Sequence, residues 1–243
     1  MLDSWIASGS EAGSRSWSET GSPSSGIATR RWSLRIRTGL SSHVPLRADK
    51  RRLYLVTPVR PDFAAFLDAA IQGGVDIVQV RDRSLLDGEL LDEFGEARDI
   101  TFRRKVPFGV NERVDLAIMA EADFVHVGQE DVPVSALRPF KLPVGLSTHA
   151  PREIDTAEAD YIGVGPVFAT PTKEGRAAVG LDLVRYAVER ARVPWFAIGG
   201  IDASNVRDVV AAGASRVAVV RAIGEASDPE RAAAELREAL LDQ

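Results

Sequence analysis

Three groups of side chains stand out because their types and spacing suit phosphate chemistry. In Gln79-Val80-Arg81-Asp82-Arg83, strand alternation places Gln79, Arg81 and Arg83 on one side, so two cations and an amide can converge on a phosphate chain. Asn111-Glu112 and, further on, Asp131 supply an amide and two carboxylates. Glu112 and Asp131 could bind Mg²⁺, which commonly takes one or two carboxylates and completes its shell with water and substrate phosphate oxygens. Thr170, Thr172 and Lys173 offer two hydroxyls and a cation in a Gly-flanked loop, and Gly199-Gly200 lets backbone N–H groups approach an anion closely. Each group has a plainer reading as solvated arginines, a helix cap, loop carboxylates or an ordinary connecting loop. Of the histidines, His126 lies within a strand-like run and reads as packing, whereas His149 lies beyond Ser147-Thr148 and is left open.

These residues need elements to position them. Short β-branched runs at Leu53–Thr57, Asp76–Arg81, Pro107–Asn111, Phe124–Val127, Val144–Thr148, Tyr161–Val164, Trp195–Ile198 and Arg216–Val220 alternate with amphipathic stretches such as Asp62–Gln72, Leu91–Arg103 and Asp182–Arg190. Asp62, Asp182 and Asp228 read as N-caps, and Gly73 and Gly213 as C-terminal stops. Eight strand–helix repeats in residues 51–243 predict a single compact (βα)₈ TIM barrel. An open doubly wound sheet is disfavoured because Val56-Thr57-Pro58-Val59, not a Gly-rich phosphate loop, follows the first strand. Nearly every group named above falls at or just beyond the end of a strand, with Val220 and Arg221 at the end of the eighth, and the C-terminal strand ends are where barrels build their chemistry.

Composition narrows the classes further. The chain has 243 residues, a net charge of −5 and no cysteine, which excludes disulfides, thiolate metal sites and a cysteine nucleophile. The acidic balance argues against a nucleic-acid partner, and no apolar run is long enough for a membrane span. A soluble, cytoplasmic protein acting on small molecules is the expectation, with a homo-oligomer compatible. Residues 1–50 differ in kind. They hold twelve serines and seven basic residues against four acidic ones, which predicts a disordered Ser/Gly/Arg-rich extension. A start codon placed too far upstream would also explain that segment.

The runs VQVRDR, NERVDLA, HVGQED, GLSTH, ADYIGVGPVFATPTK, AIGGI and VAVVRAI, in that order, resemble thiamine-phosphate synthases across residues 51–243. The resemblance implies a transferase that joins 4-amino-2-methyl-5-(diphosphooxymethyl)pyrimidine to 4-methyl-5-(2-phosphooxyethyl)thiazole. Thiamine phosphate and pyrophosphate would form through a dissociative, carbocation-like step. By that resemblance Gln79, Arg81, Arg83, Asn111 and Lys173 hold the pyrimidine diphosphate, and Ser147 lies beside pyrimidine and pyrophosphate. Thr170, Thr172, Gly200 and backbone at Val220 and Arg221 hold the thiazole phosphate, while Glu112 and Asp131 bind Mg²⁺. Arg81, Lys173 and Ser147 would carry catalysis. Three positions depart from the family pattern: Arg83 replaces a usual lysine, Glu112 a usual aspartate and Arg221 a frequent serine. A thiazole tautomerase-like isomerase on the same scaffold and a non-catalytic phosphate sensor are the alternatives.

Overall fold

The computed structural model describes residues 43–170 and 177–241. Eight parallel strands, β1 (Leu53–Thr57), β2 (Ile77–Val80), β3 (Phe108–Asn111), β4 (Phe124–Val127), β5 (Val144–Thr148), β6 (Tyr161–Val164), β7 (Trp195–Ile198) and β8 (Val217–Val219), close into a barrel in sequence order. The ring is sealed where Leu53, Tyr54 and Leu55 of β1 pair with Val217, Ala218 and Val219 of β8. Around it run α1 (Phe63–Gln72), α2 (Asp87–Arg104), α3 (Val114–Met119), α4 (Val134–Leu137), α5 (Pro151–Asp155), α6 (Gly180–Arg190), α7 (Val206–Ala211), α8 (Arg221–Gly224) and α9 (Pro229–Ala239). In α1, Phe63, Phe66, Leu67 and Ala70 are buried, the i, i+3, i+4, i+7 stripe that turns one helix face to the sheet.

The barrel interior is a separate apolar cluster of Tyr54, Val56, Ile77, Phe124, Tyr161, Phe196 and Ala218. Small residues make room for its large rings. A Cβ on Gly109 would stand 2.1 Å from the Phe124 ring, and one on Gly145 would stand 2.1 Å from Cζ of Tyr161. Tyr54 meets Phe124 and Phe196 edge to face, with centroids 6.0 and 5.3 Å apart, a geometry that adds about 0.5–1.5 kcal/mol per pair beyond area burial.

Four expectations are corrected by the structure. Residues 43–50, read with the N-terminal extension, belong to the barrel unit: Val44, Leu46 and Ala48 are buried at 8, 6 and 6% exposure, alternating with exposed neighbours. Leu46 and Ala48 join the interior cluster, and the Val44 N–H donates to Asp123 Oδ1 at 2.8 Å. Three alternating apolar residues are too few to show against the Ser/Arg background. Asp182 lies inside α6, which begins at Gly180, and Asp62 uses its carboxylate on Arg60 at 2.5 Å instead of a helix amide. Asp228 does cap α9, accepting from the Arg231 N–H at 3.0 Å. Gly73 has ordinary helical dihedrals, and its small size serves close packing against Glu230 of α9; Gly74 supplies the positive φ. The four-residue helices α4 and α8 are too short to show a helical period.

Truncation separates the extension from this packed segment. A chain starting at residue 43 should match the full chain in Tm to within about 2 °C. Starting at residue 51 should cost about 3–6 kcal/mol, the value of burying one Val and one Leu with a small contribution from Ala, or roughly 10 °C in Tm. Thermal denaturation of the two truncations is the check.

Candidate active site

A cavity of about 1040 Å³ opens at the C-terminal ends of the strands. It is lined by Gln79, Arg81, Arg83, Asn111, Glu112, Asp131, Ser147, Thr170, Gly200, Val220 and Arg221, so eleven of the thirteen residues singled out from sequence come together there. Thr172 and Lys173 lie outside the described residues. The convergence follows from parallel pairing: each strand delivers its last residues to the same rim.

On one side of the mouth sits a mixed-charge cluster from β2, β3 and the loop after β4. Arg83 Nη2 donates to Glu112 Oε2 at 2.6 Å, and this pairing pushes the arginine pKa up. The Arg83 side chain is 64% exposed, so the pair contributes at most about 1 kcal/mol and can open to an anionic ligand. Arg81 is half-buried, and burial, followed by repulsion from Arg83, pulls its pKa down while Glu112 and Asp131 oppose that. A guanidinium stays charged through such shifts, so Arg81 is a partly desolvated cation facing the cavity. Glu112 adopts φ +53°, in the left-handed region disfavoured for a side chain of its length. Its backbone N–H is tied to the His126 carbonyl at 2.8 Å. Asp131 accepts from the Gly128 N–H at 2.6 Å.

Among the described residues no three His, Cys, Asp or Glu side chains group into a protein-only metal cage. Glu112 and Asp131, two carboxylates lining the cavity beside two arginines, do suit an ion whose remaining ligands are water and phosphate oxygens. The donor set therefore fits Mg²⁺ in the substrate-completed manner and does not fit a closed structural site.

Across the mouth the loop after β6 lies along the end of β7: Val167 and Phe168 donate N–H bonds to the Ile198 and Gly199 carbonyls at 2.9 and 3.0 Å. Gly200 has φ +66°, and a Cβ there would stand 2.7 Å from the Phe168 Cβ. Only glycine fits this close approach. With Val220 and the start of α8 at Arg221, this corner has the strand-7 and strand-8 arrangement that barrels use for phosphate.

The floor holds what the sequence reading passed over. Tyr54, Tyr161 and Phe196 line the cavity, and His126, expected only to pack, hydrogen-bonds Tyr161 through Nδ1 and Ser147 through Nε2, each at 3.0 Å. Burial pushes both phenol pKa values far up, so both hydroxyls keep their protons. The glycines opposite the rings, Gly109 and Gly145, were the available signal, but two single glycines do not name their partners. Ser147 is braced by Gln129, whose Nε2 donates to its carbonyl at 2.7 Å. His149 also reaches the cavity, and its Nδ1–H donates to the Gly165 carbonyl.

Comparison with known proteins agrees with this geometry. A family model described as thiamine monophosphate synthase matches residues 53–223. The thiamine-phosphate synthase of Arthrobacter sp. (strain FB24) is 47% identical over 222 residues, covering 78% of this chain and 94% of that protein. That of Gloeobacter violaceus is 45% identical, covering 87% of this chain and 65% of the relative, so the chain spans just under two thirds of that longer protein. Among solved structures, thiamine phosphate pyrophosphorylase from Pyrococcus furiosus superposes with TM-score 0.73 at 31% identity, covering 80% of this chain and 98% of that one. A 3-hexulose-6-phosphate synthase from Salmonella typhimurium, 21% identical with TM-score 0.62 and covering 78% of this chain and 98% of its own, shares the barrel alone. With its motifs in order on one rim and relatives of this similarity, the chain belongs to the thiamine monophosphate synthase family.

Proposed function

We infer that the chain catalyses thiamine-phosphate synthesis, condensing the aminopyrimidine diphosphate with the thiazole phosphate and releasing pyrophosphate. The observation that carries this reading is one cavity lined both by Gln79, Arg81, Arg83 and Asn111 and by Gly200, Val220 and Arg221, two sets that would each hold one phosphorylated substrate. Two phosphorylated substrates held head to head need such a mouth. An isomerase acting on the thiazole phosphate would have no use for the arginine–carboxylate side, and the comparisons lend the isomerase and sensor readings no support.

In the reaction the bond between the pyrimidine methylene carbon and the diphosphate oxygen breaks, its electron pair leaving with the diphosphate. The thiazole nitrogen then donates its lone pair to the methylene carbon, forming the C–N bond. Arg81 and Arg83 would stabilise the charge growing on the leaving group, and they do so more strongly where water is scarce. Mg²⁺ at Glu112 and Asp131 would supply further neutralisation of the diphosphate. Gln79 and Asn111 would orient the diphosphate arm, and Lys173, with Thr170 and Thr172, would complete the phosphate contacts from the loop after β6. Gly200 and the backbone at Val220-Arg221 would hold the thiazole phosphate so that its nitrogen stands near the reacting carbon, the positional part of the rate gain. No side-chain nucleophile is required. The substrates are small molecules, no helix among the described residues is long and apolar enough to cross a membrane, and a cytoplasmic biosynthetic role suits both.

Purified protein supplied with both substrates and Mg²⁺ should release pyrophosphate and form thiamine phosphate in equal amounts, and omission of any one component should abolish both. Pyrophosphate release without the thiazole phosphate, or none with the full mixture, would sink the reading. Arg81→Ala and Asp131→Ala should each lower kcat at least about tenfold, roughly 1.4 kcal/mol of transition-state stabilisation, with Tm unchanged. Glu112→Asp relieves the left-handed backbone and loosens the Arg83 pair. The Mg²⁺ concentration for half-maximal rate should therefore fall by about threefold or more, a change of roughly 0.7 kcal/mol, measured by metal titration of initial rates.

A further inference from the structure

A continuous line of hydrogen bonds crosses the barrel from the acidic side of the mouth to Ser147. Arg83 donates to Glu112 Oε2 at 2.6 Å, and Asn111 Nδ2 donates to the same oxygen at 3.0 Å. Gln79 Nε2 donates to Asn111 Oδ1 at 2.7 Å, and the Tyr54 hydroxyl donates to Gln79 Oε1. Tyr54 meets the Tyr161 hydroxyl at 3.0 Å, Tyr161 meets His126 Nδ1 at 3.0 Å, and His126 Nε2 meets Ser147 Oγ at 3.0 Å. Six strands contribute one member or more, and Gln79, Tyr54 and Tyr161 are 2, 2 and 0% exposed.

The direction of every bond follows from one end. An ionised carboxylate only accepts. Asn111 gives its amide nitrogen to Glu112 Oε2 at the rim and so turns its oxygen toward Gln79. That oxygen in turn fixes the Gln79 amide, whose own oxygen is left for Tyr54. Tyr54 has a single hydrogen and spends it on Gln79, so toward Tyr161 it can only accept, and Tyr161 must donate. Tyr161 has then no hydrogen left for His126, so Nδ1 of His126 carries the proton. In a neutral imidazole the other nitrogen is a bare acceptor, and the Ser147 hydroxyl donates to it.

We propose that Tyr54, Tyr161 and His126 are positioning residues that commit the Ser147 hydrogen to His126, so that Ser147 Oγ presents acceptor lone pairs to the substrate. This rests on the synthase reading of the cavity and deepens it. Of the two groups expected beside Ser147, the exocyclic amine of the pyrimidine is a donor and the diphosphate an acceptor. A serine oriented in this way selects the amine and holds the ring, and it leaves the diphosphate to the arginines. The polarity starts at Glu112, so the carboxylate on the diphosphate side orients the group that reads the ring on the other. A buried relay of this kind is intolerant of single deletions, because each hydroxyl removed leaves the next group free to turn round.

Two readouts test it on the full chain. Long-range ¹H–¹⁵N correlation of the imidazoles, with His126→Gln used to assign the His126 signals, should show the neutral Nδ1–H tautomer of His126 in the wild-type protein without substrate. Tyr161→Phe should shift it toward the Nε2–H form. In kinetics, Ser147→Ala and Tyr161→Phe should each lower kcat at least about tenfold with the aminopyrimidine diphosphate, with KM for the thiazole phosphate little changed. With an analogue bearing hydrogen in place of the amine, the same substitutions should cost less than about threefold, the signature of coupling between residue and substrate group. An imidazolium or Nε2–H form of wild-type His126 would overturn the proposal, as would equal losses with both substrates. If Tyr161→Phe fails to fold, Tyr54→Phe serves, since it frees the Tyr161 hydrogen to turn toward His126. Absence of turnover in the wild type would refute the synthase reading and leave the tautomer result standing.

Discussion

Closure of the eight-stranded ring is the constraint on which everything else depends. β1 pairs on one side with β2 and on the other with β8, so no strand has an unpaired edge and none can slide without breaking a ladder on both sides. Slippage by one residue would also exchange the interior face for the helix-facing one. Gln79 is held inward because Ile77 is inward, and Asn111 because Gly109 must face the Phe124 ring. The positions of the polar residues at the mouth are thus set by apolar packing two residues below them. The same packing explains why the interior needs glycines: two tyrosines and two phenylalanines fill a space that β3 and β5 leave open.

On that frame the charges are arranged by exposure. Arg83 and Glu112 pair at the rim, where solvent keeps the interaction weak and exchangeable. Arg81 is deeper, and burial works against its charge. Glu112 and Asp131 offset that burial only in part, so a cation in this position gains from any further negative charge brought into the cavity. Deeper still the residues are neutral and paired, as buried polar groups must be. Charge thus sits at the rim, with neutral paired donors and acceptors beneath it.

Much of this was legible beforehand, for identifiable reasons. The strand order and barrel class follow from alternation of β-branched runs with amphipathic helices, a repeated and therefore robust pattern. Arg81, Arg83, Glu112 and Asp131 were weak signals singly and became legible together, because all of them fall at or shortly beyond strand C-terminal ends, where a barrel builds its chemistry. Tyr54, Tyr161 and His126 did not. Each sits in a strand that reads as core, and Tyr and His are ordinary core residues at such positions. The short helices α4 and α8 and the packed segment at 43–50 were hidden for a related reason, each offering fewer residues than a period needs to show. Asp182 shows the opposite failure, a strong capping type that lies in the first turn of α6, which begins two residues earlier at Gly180.

What the sequence determined by itself is the set of elements and the chemistry carried at their ends, because hydrophobic period and residue type are local properties. What only the tertiary structure decided is which of those ends face one another and which way each hydrogen bond runs. Ser147 and Glu112 lie 35 positions apart in the chain and are joined through members of six strands. That path exists only after the ring closes, since a donor's direction depends on the partner that folding places opposite it.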